Sequence, residues 1–478
     1  MATKKNAHPP WMLRFRSSTG FIIATVWTSC FTDYFLYAMI VPVMPTALSD
    51  RAGVPYEDRE YWVSVLLMCE AAIALVCCPI FGYLVDVSRT RQYPFFLGLI
   101  LLGASMGMLS VAHAVWLFVV ARLLQGGATA MVAVAGLALM TDTVEFNNLG
   151  QTIGYLGSAI TLGFLLGPLL GGLVYNAAGY NAVFAMAFAI IGVDLVMRVA
   201  VIEKKVVRRW ISTGHEENGN GNGNGNGHVY SSVGGYHTFP GEFTEVEEDK
   251  GKFALLEIAR QPRVLISLWA LLVQGLLFSA FDATIPIFVE SMYGWSPFEA
   301  GMTFLPSAIT ALFEPYFGYI SDKYGNRIVT FTSFLLLSPP LICLHLVEHN
   351  GTAHKILLIT LLTIIGALLN SAIPALFVET QQVLEDMERA EPGIFGRKGA
   401  VAQAFGIQTM AQFLGLFLGP LWGGFVTYRF GWKSMAWSLG VLAGVTAVPM
   451  LWLSGGPGND TGDRESENEE EQERLLDS

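Results

Sequence analysis

Charge is scarce in this sequence. Asp, Glu, Lys and Arg make up 14% of its 478 residues, where a soluble domain carries about 25%, and the mean hydropathy is +0.48. Too little charge is present to keep such a chain dissolved, which excludes a soluble enzyme. Cysteine is sparse as well: Cys30, Cys69, Cys77, Cys78 and Cys343 all sit inside apolar stretches, where they read as small packing residues and not as a disulfide framework or metal finger. No glycine loop is followed by Gly-Lys-Ser/Thr, which argues against an ATP-driven pump. With a net charge of -11 and no metal-ligand spacing, the expectation is no metal, no cofactor and no nucleic-acid partner. The beginning carries Lys4, Lys5, Arg14 and Arg16 but no cleavable apolar region, so the first apolar run is expected to stay in the mature protein.

Long apolar runs are what the sequence has instead. Stretches of roughly 20 residues, each able to cross about 30 Å of hydrocarbon, lie at 20–44, 61–82, 94–113, 116–140, 151–175, 181–201, 264–288, 299–320, 329–347, 355–378, 402–426 and 433–453. Inside a bilayer every backbone amide must be paired within its own segment, so these twelve spans must be helices. Two basic residues, Arg122 and Arg198, fall in spans, and Arg51, Arg59, Lys355, Arg429 and Lys433 fall on one side of the bilayer. The remaining Lys and Arg share the other side, which the positive-inside rule assigns to the cytosol together with both termini.

The sequence repeats itself. Gly154, Gly163, Gly167, Pro168, Gly171 and Gly172 in the fifth span have the spacing G-x8-G-x3-G-P-x2-G-G, and Gly406, Gly415, Gly419, Pro420, Gly423 and Gly424 in the eleventh repeat it, 252 residues on. Glycines so spaced let helix backbones approach closely, and a proline kinks the helix. Tight packing alone would explain them too. A second repeat, offset by 236 residues, is Gly82 to Asp86 with Arg89 and Arg91, against Gly318 to Asp322 with Lys323 and Arg327. The organisation expected is an all-α membrane protein of twelve transmembrane helices in two pseudo-symmetric six-helix bundles. It comprises a cytosolic N-terminus at 1–19, bundles at 20–202 and 261–454, a disordered cytosolic linker at 203–260 and an acidic cytosolic tail at 455–478. The linker holds an Asn-Gly run from Asn218 to Gly227 that can bury nothing. The tail ends in Glu471 to Leu476, an acidic dileucine pattern of the kind sorting adaptors read.

These motifs resemble those of the major facilitator superfamily. The resemblance implies that the Gly-to-Asp loops clamp the halves together in one state through Asp-to-Arg and helix-end contacts, by position Asp86 with Arg89 or Arg91 and Asp322 with Lys323 or Arg327. The first loop departs from the family pattern at Val87 and Arg89. The glycine-proline motif, with Arg122, Gln125 and Gly126 in the fourth span, resembles the proton antiporters of that superfamily, where the arginine is associated with proton transfer. The string from Asp33 to Pro42 resembles the first helix of the vesicular amine transporters, whose aspartate contacts the substrate ammonium, and those transporters also carry an acid at the place of Asp282. Glu70 stands where they have lysine, and spans ten and eleven offer only Asn370, Gln408 and Thr409 where they have acids. The broader drug:proton antiporter branch fits better.

A charge at mid-bilayer costs about 3 kcal/mol or more, so each ionisable residue in a span is a functional candidate. They are Asp33, Glu70, Arg122, Asp194, Arg198, Asp282 and Glu314. Five acids against two bases suit a cation, protons or both. Asp33, Tyr37, Gln274, Phe278, Asp282 and Asn370 are the candidates for substrate binding, and Asp33, Glu70, Arg122, Asp282 and Glu314 for proton coupling. Asp194 and Arg198, at i and i+4, equally suit an intrahelical ion pair, and Glu314, one turn before Gly318, equally suits a latch. The reading is a monomeric secondary transporter in a vacuolar, vesicular or plasma membrane, exchanging an organic cation for protons by alternating access. A facilitator or proton symporter of a neutral solute stays open beside it, as does a non-transporting sensor on the same fold.

Overall fold

The computed structural model describes residues 12–55, 58–88, 90–144, 148–202, 254–295, 299, 302–396 and 399–455. Most of the expected linker, the dileucine tail and Arg89 therefore lie outside the described residues. The N-terminal half holds α1 (Thr19–Ile40), α2 (Arg59–Val87), α3 (Gln92–Ser110), α4 (Val115–Thr141), α5 (Leu149–Ala178) and α6 (Tyr180–Ala200). The C-terminal half holds α7 (Pro262–Tyr293), α8 in two segments (Leu305–Ala311 and Glu314–Tyr324), α9 (Asn326–Cys343), α10 (Thr352–Ala390), α11 (Val401–Phe430) and α12 (Trp432–Ala447).

Eleven of these are long and apolar enough to cross a membrane. The eighth is broken, where the sequence predicts one span over 299–320. Pro315 has no amide hydrogen and its ring collides with the carbonyl four residues back, so the amides of Leu312 and Phe313 turn to the carbonyls of Ile309 and Thr310 and the helix restarts at Glu314. Part of the expected linker is also ordered: Leu255–Ala259 is helical, and Ile258 is buried against α7 and α11.

Apolar side chains point outward as well as inward. Val76, Ile80 and Leu84 form one exposed row on α2, at the four-residue spacing of a helix face, as befits a helix whose outer solvent is lipid. The small and polar residues turn inward, most completely on α4, where Arg122, Gln125 and Thr129 are buried.

The repeat seen in the motifs governs the packing. α1 packs on α5 as α7 packs on α11; α2, α3 and α4 form one cluster as α8, α9 and α10 form another; α3 meets α6 as α9 meets α12. Gly179 turns the chain from α5 into α6 at φ +79°, and Gly431, again 252 residues on, turns α11 into α12 at φ +84°. That backbone region favours glycine. The halves meet through two equivalent pairs, α2 with α11 and α5 with α8.

Candidate functional site

Close backbone approach is what glycine supplies where the halves meet. A Cβ on Gly318 would lie 2.1 Å from the carbonyl oxygen of Gly150, and one on Gly82 would lie 2.7 Å from that of Ala402. Just beyond these contacts each half sends an aspartate into the other. Asp86 accepts from the amides of Ala402 and Gln403 at 3.0 and 2.9 Å, and Asp322 accepts from those of Gly150 and Gln151 at 2.9 Å each. Both pairs of amides belong to the first turn of a helix, α11 or α5, where unpaired N–H groups and the helix dipole attract an anion. The two clamps are equivalent in their amides and unequal in their cations. Arg91 reaches Asp86 at 2.7 Å and Asp142 at 3.2 Å. Among the described residues, Asp322 pairs with neither Lys323 nor Arg327: Lys323 lies 5.3 Å from the Tyr324 ring centroid. We term this end of the molecule the clamp face.

In the N-terminal half, α1, α2 and α4 bring four predicted residues together. Glu70 Oε2 receives Arg122 Nη1 at 2.8 Å, and the same nitrogen reaches Gln125 Oε1 at 3.0 Å. The Arg122 guanidinium stands 5.6 Å from the Tyr37 ring centroid. Gly126 makes the approach possible, because a Cβ there would fall 2.3 Å from the Glu70 carbonyl. Asp33 is 1% exposed and accepts a 3.2 Å hydrogen bond from Thr129. Among the described residues no cationic side chain pairs with it. Asp194 and Arg198 do form an intrahelical pair at 2.9 Å, which Ser29 of α1 joins with a 2.6 Å hydrogen bond to Asp194 while Arg198 also donates to the Phe95 carbonyl. That network ties α6 to α1 and α3.

In the C-terminal half, Asp282 is exposed, turned away from the outward row of Leu265, Trp269 and Ile287 on α7 and within electrostatic reach of Tyr37 across the halves. Phe278 lies one turn earlier on the same face and is partly buried. Gln274 is held between helices, receiving a 3.3 Å hydrogen bond from Gln412 of α11, and Asn370 approaches Thr310 of α8 at 3.5 Å. Glu314 is elsewhere. Its carboxyl lies on α5, over Gly157, in the contact between the halves.

The motif glycines divide by position. Gly163, Gly167 and Gly171 press on Phe35, Ala38 and Met39 of α1 within their own half, whereas Gly154 meets Glu314 of the other half, and nothing lies within 4 Å of a Cβ on Gly172. Pro168 sits within α5.

The model of the Major Facilitator Superfamily matches residues 26–390. The chain belongs to the major facilitator superfamily. It is 31% identical to "MFS-type transporter ppzB" of Metarhizium rileyi, over 94% of this chain and 99% of that one. It is 25% identical to the "Tetracycline resistance protein, class B" of Escherichia coli, over 67% of this chain and 72% of the other. Among solved structures, that of the human organic anion transporter MFSD10 (TETRAN) superposes with a TM-score of 0.62, covering 93% of this chain and 100% of that one, at 14% identity, which is a likeness of fold. The protein is thus a multi-pass membrane transporter and not an enzyme.

Two charged positions of this transporter escaped the sequence reading. Glu379, fully buried, accepts from Arg263 Nε at 2.7 Å, Asn326 Nδ2 at 3.1 Å and the Ser454 amide at 3.0 Å. It occupies on α10 the place that Asp142 occupies after α4. Both acids fall just past the predicted ends of their spans, at 378 and 140, so neither was counted among the ionisable residues of a span. The repeat could have found them, since Glu379 follows Asp142 by nearly the offset that separates the clamp aspartates.

The Glu70–Arg122 pair carries a stability prediction. Removing one partner of a buried pair leaves an uncompensated charge and costs about 3–5 kcal/mol, whereas replacing both by apolar residues is close to neutral. Arg122→Met is expected to lower the midpoint of thermal unfolding in detergent markedly, and Glu70→Met with Arg122→Met to recover most of the loss. Equal stability of the single and double variants would show that the pair is not what holds α2 to α4.

Proposed function

We propose that this transporter exchanges an organic cation for protons by alternating access, the halves rocking about a central site between α1, α4 and α7. The observation that carries this is which acids remain unpaired. Arg122 neutralises Glu70 and Arg198 neutralises Asp194. Of the three span acids left without a cation among the described residues, Glu314 lies in the contact between the halves. Asp33 and Asp282 remain, one in each half, Asp33 one turn before Tyr37 on α1 and Asp282 within electrostatic reach of that ring. Two such acids, each with an aromatic residue one turn away on its own helix, Tyr37 and Phe278, hold an ammonium by charge and cation–π attraction. Protonating either acid removes its charge and loosens that hold, so proton entry and substrate exit become linked. Glu70 and Arg122 relay the change through the Arg122 guanidinium, which stands against the Tyr37 ring. The similarity to a tetracycline resistance protein supports a drug-like substrate.

The clamp face is the cytosolic one in this reading, since Arg91, Lys323 and Arg327 lie there and the positive-inside rule applies. The site then opens toward the outside of the cell or an organelle lumen. Substrate-induced proton release decides the matter: the protein is reconstituted in vesicles with an imposed pH gradient and challenged with organic amines, cationic drugs and neutral sugars. Amines or cationic drugs are expected to dissipate the gradient. Movement of neutral solutes alone would replace the proposal with a facilitator or symporter, and no movement by folded protein would replace it with a sensor.

A further inference from the structure

We propose that Glu314 is a proton-operated latch: shutting the clamp face takes up one proton on its carboxyl, and parting the halves releases it. The idea deepens the proton-coupled reading above by naming a group that ties protonation to the motion itself.

The geometry is that of a carboxyl sealed by the opposite half. Glu314 opens the second segment of α8 and is 3% exposed. Its Oε2 sits 1.3 Å from where a Cβ of Gly157 would be, so only glycine leaves room for it, and the Glu314 carbonyl would be 2.4 Å from a Cβ of Gly154. The lid over the acid is therefore α5, which belongs to the other half and leaves when the halves part. Oε2 has no hydrogen-bond partner among the described residues. None of the ionisable groups on the packed elements, Tyr155 of α5, Tyr316 and Tyr319 of α8, Arg327 of α9 and Glu379 of α10, acts on it electrostatically. An ionised carboxylate without a partner is far more costly to bury than the neutral acid. Closure over Glu314 thus requires the O–H bond to form, with water supplying the proton, and opening returns the proton to water.

The pseudo-symmetry shows that the packing itself does not need an acid. The residue equivalent to Glu314, at the 236-residue offset of the clamp aspartates, is Cys78 of α2, and the equivalent of Gly157, at the 252-residue offset, is Thr409 of α11. There Cys78 is fully buried, and its carbonyl approaches Gly406 in the same way, 2.7 Å from where a Cβ would be. One interface closes with a thiol and the other with an unpartnered carboxyl, so the acid answers to something other than helix contact.

The sign of the pH response follows from linkage. The shut state holds one proton more than the open state, so low pH favours shutting, and the shut-to-open ratio falls up to tenfold per pH unit where open-state Glu314 is ionised. Asp86 and Asp322 act in the opposite direction, because protonating them weakens their hold on the helix amides. A variant at Glu314 separates the two effects.

The test is the distance across the clamp face. Spin labels are placed at Asn148→Cys, the residue just before α5, and Tyr324→Cys at the end of α8, both exposed, with the five native cysteines replaced. The substrate-free protein in lipid nanodiscs is then titrated from about pH 5 to about pH 9. Wild type is expected to pass from a short to a long distance as pH rises. Glu314→Gln, a neutral mimic of the protonated acid, is expected to stay short throughout, and Glu314→Asp to keep a pH response. A Glu314→Gln profile that follows wild type, or a wild-type distance indifferent to pH, overturns the latch. If amines fail to release protons while the distance still responds through Glu314, the cation-exchange reading falls and the latch stands; the converse pair of results removes only the latch.

Discussion

Asp33→Asn is expected to abolish amine-driven proton release while leaving the protein's yield and thermal midpoint unchanged. Asparagine is nearly isosteric and its Oδ1 can still accept from Thr129, so the 3.2 Å contact between α1 and α4 survives. What disappears is the charge, and with it the ability to take up a proton. Loss of one partner from a desolvated charge contact costs about 2–5 kcal/mol, which is roughly 30-fold to several thousand-fold in binding. The same change at Asp194 tests the argument from pairing: that acid already has Arg198 and Ser29, so Asp194→Asn should affect stability more than exchange. The measurement is the initial rate of gradient collapse against amine concentration for both variants. Wild-type rates in Asp33→Asn would remove Asp33 from the site, and with it the main ground for a cationic substrate.

The contrast between these two aspartates shows how far residue type and spacing could be read without coordinates. Asp194 and Arg198 share one helix, so their separation of four residues was enough to anticipate the pair. Glu70 and Arg122 lie on different helices, and the sequence offered no way to see that the acid standing where the amine transporters have a lysine would find its cation on α4. The clamps divide in the same way. Their glycines, aspartates and offset were visible as a repeat, but the partners of Asp86 are the amides of Ala402 and Gln403, and a backbone donor leaves no mark in residue type. The family resemblance implies Lys323 or Arg327 for Asp322 beside helix-end contacts, and of these the structure shows the helix end alone, the amides of Gly150 and Gln151. The break in α8 was legible in principle, since Pro315 stands inside the predicted span, five residues before its end; mean apolarity hid it. The recurrence of Gly179 at Gly431 lay outside the motifs, and only the positive φ at both makes it part of the repeat.

Because the halves touch through glycine, a single methyl group should separate them. A Cβ on Gly318 would meet the carbonyl oxygen, the carbonyl carbon and the next amide of Gly150–Gln151 at 2.1, 2.3 and 2.7 Å. All three atoms are backbone, so no side chain can rotate out of the way. The strain falls between the halves and not within either one, which means that Gly318→Ala should fold normally but resist shutting at the clamp face. Overpacking of this kind costs about 1–3 kcal/mol, enough to lower the shut population roughly 5- to 150-fold and to draw Asp322 off the α5 amides. Gly318→Val should stop exchange altogether and hold the labels at Asn148 and Tyr324 apart at every pH, whatever the state of Glu314. Gly172→Ala and Gly424→Ala provide the comparison, since nothing lies within 4 Å of either Cβ; they belong to the glycine-proline motif of α5 and α11 and should transport normally. If Gly318→Val exchanges at the wild-type rate, closure between α5 and α8 is not a step of the cycle. If Gly172→Ala is as damaging as Gly318→Val, a methyl group on a transmembrane glycine stops exchange without touching the contact between the halves, and the argument from close approach at Gly318 falls.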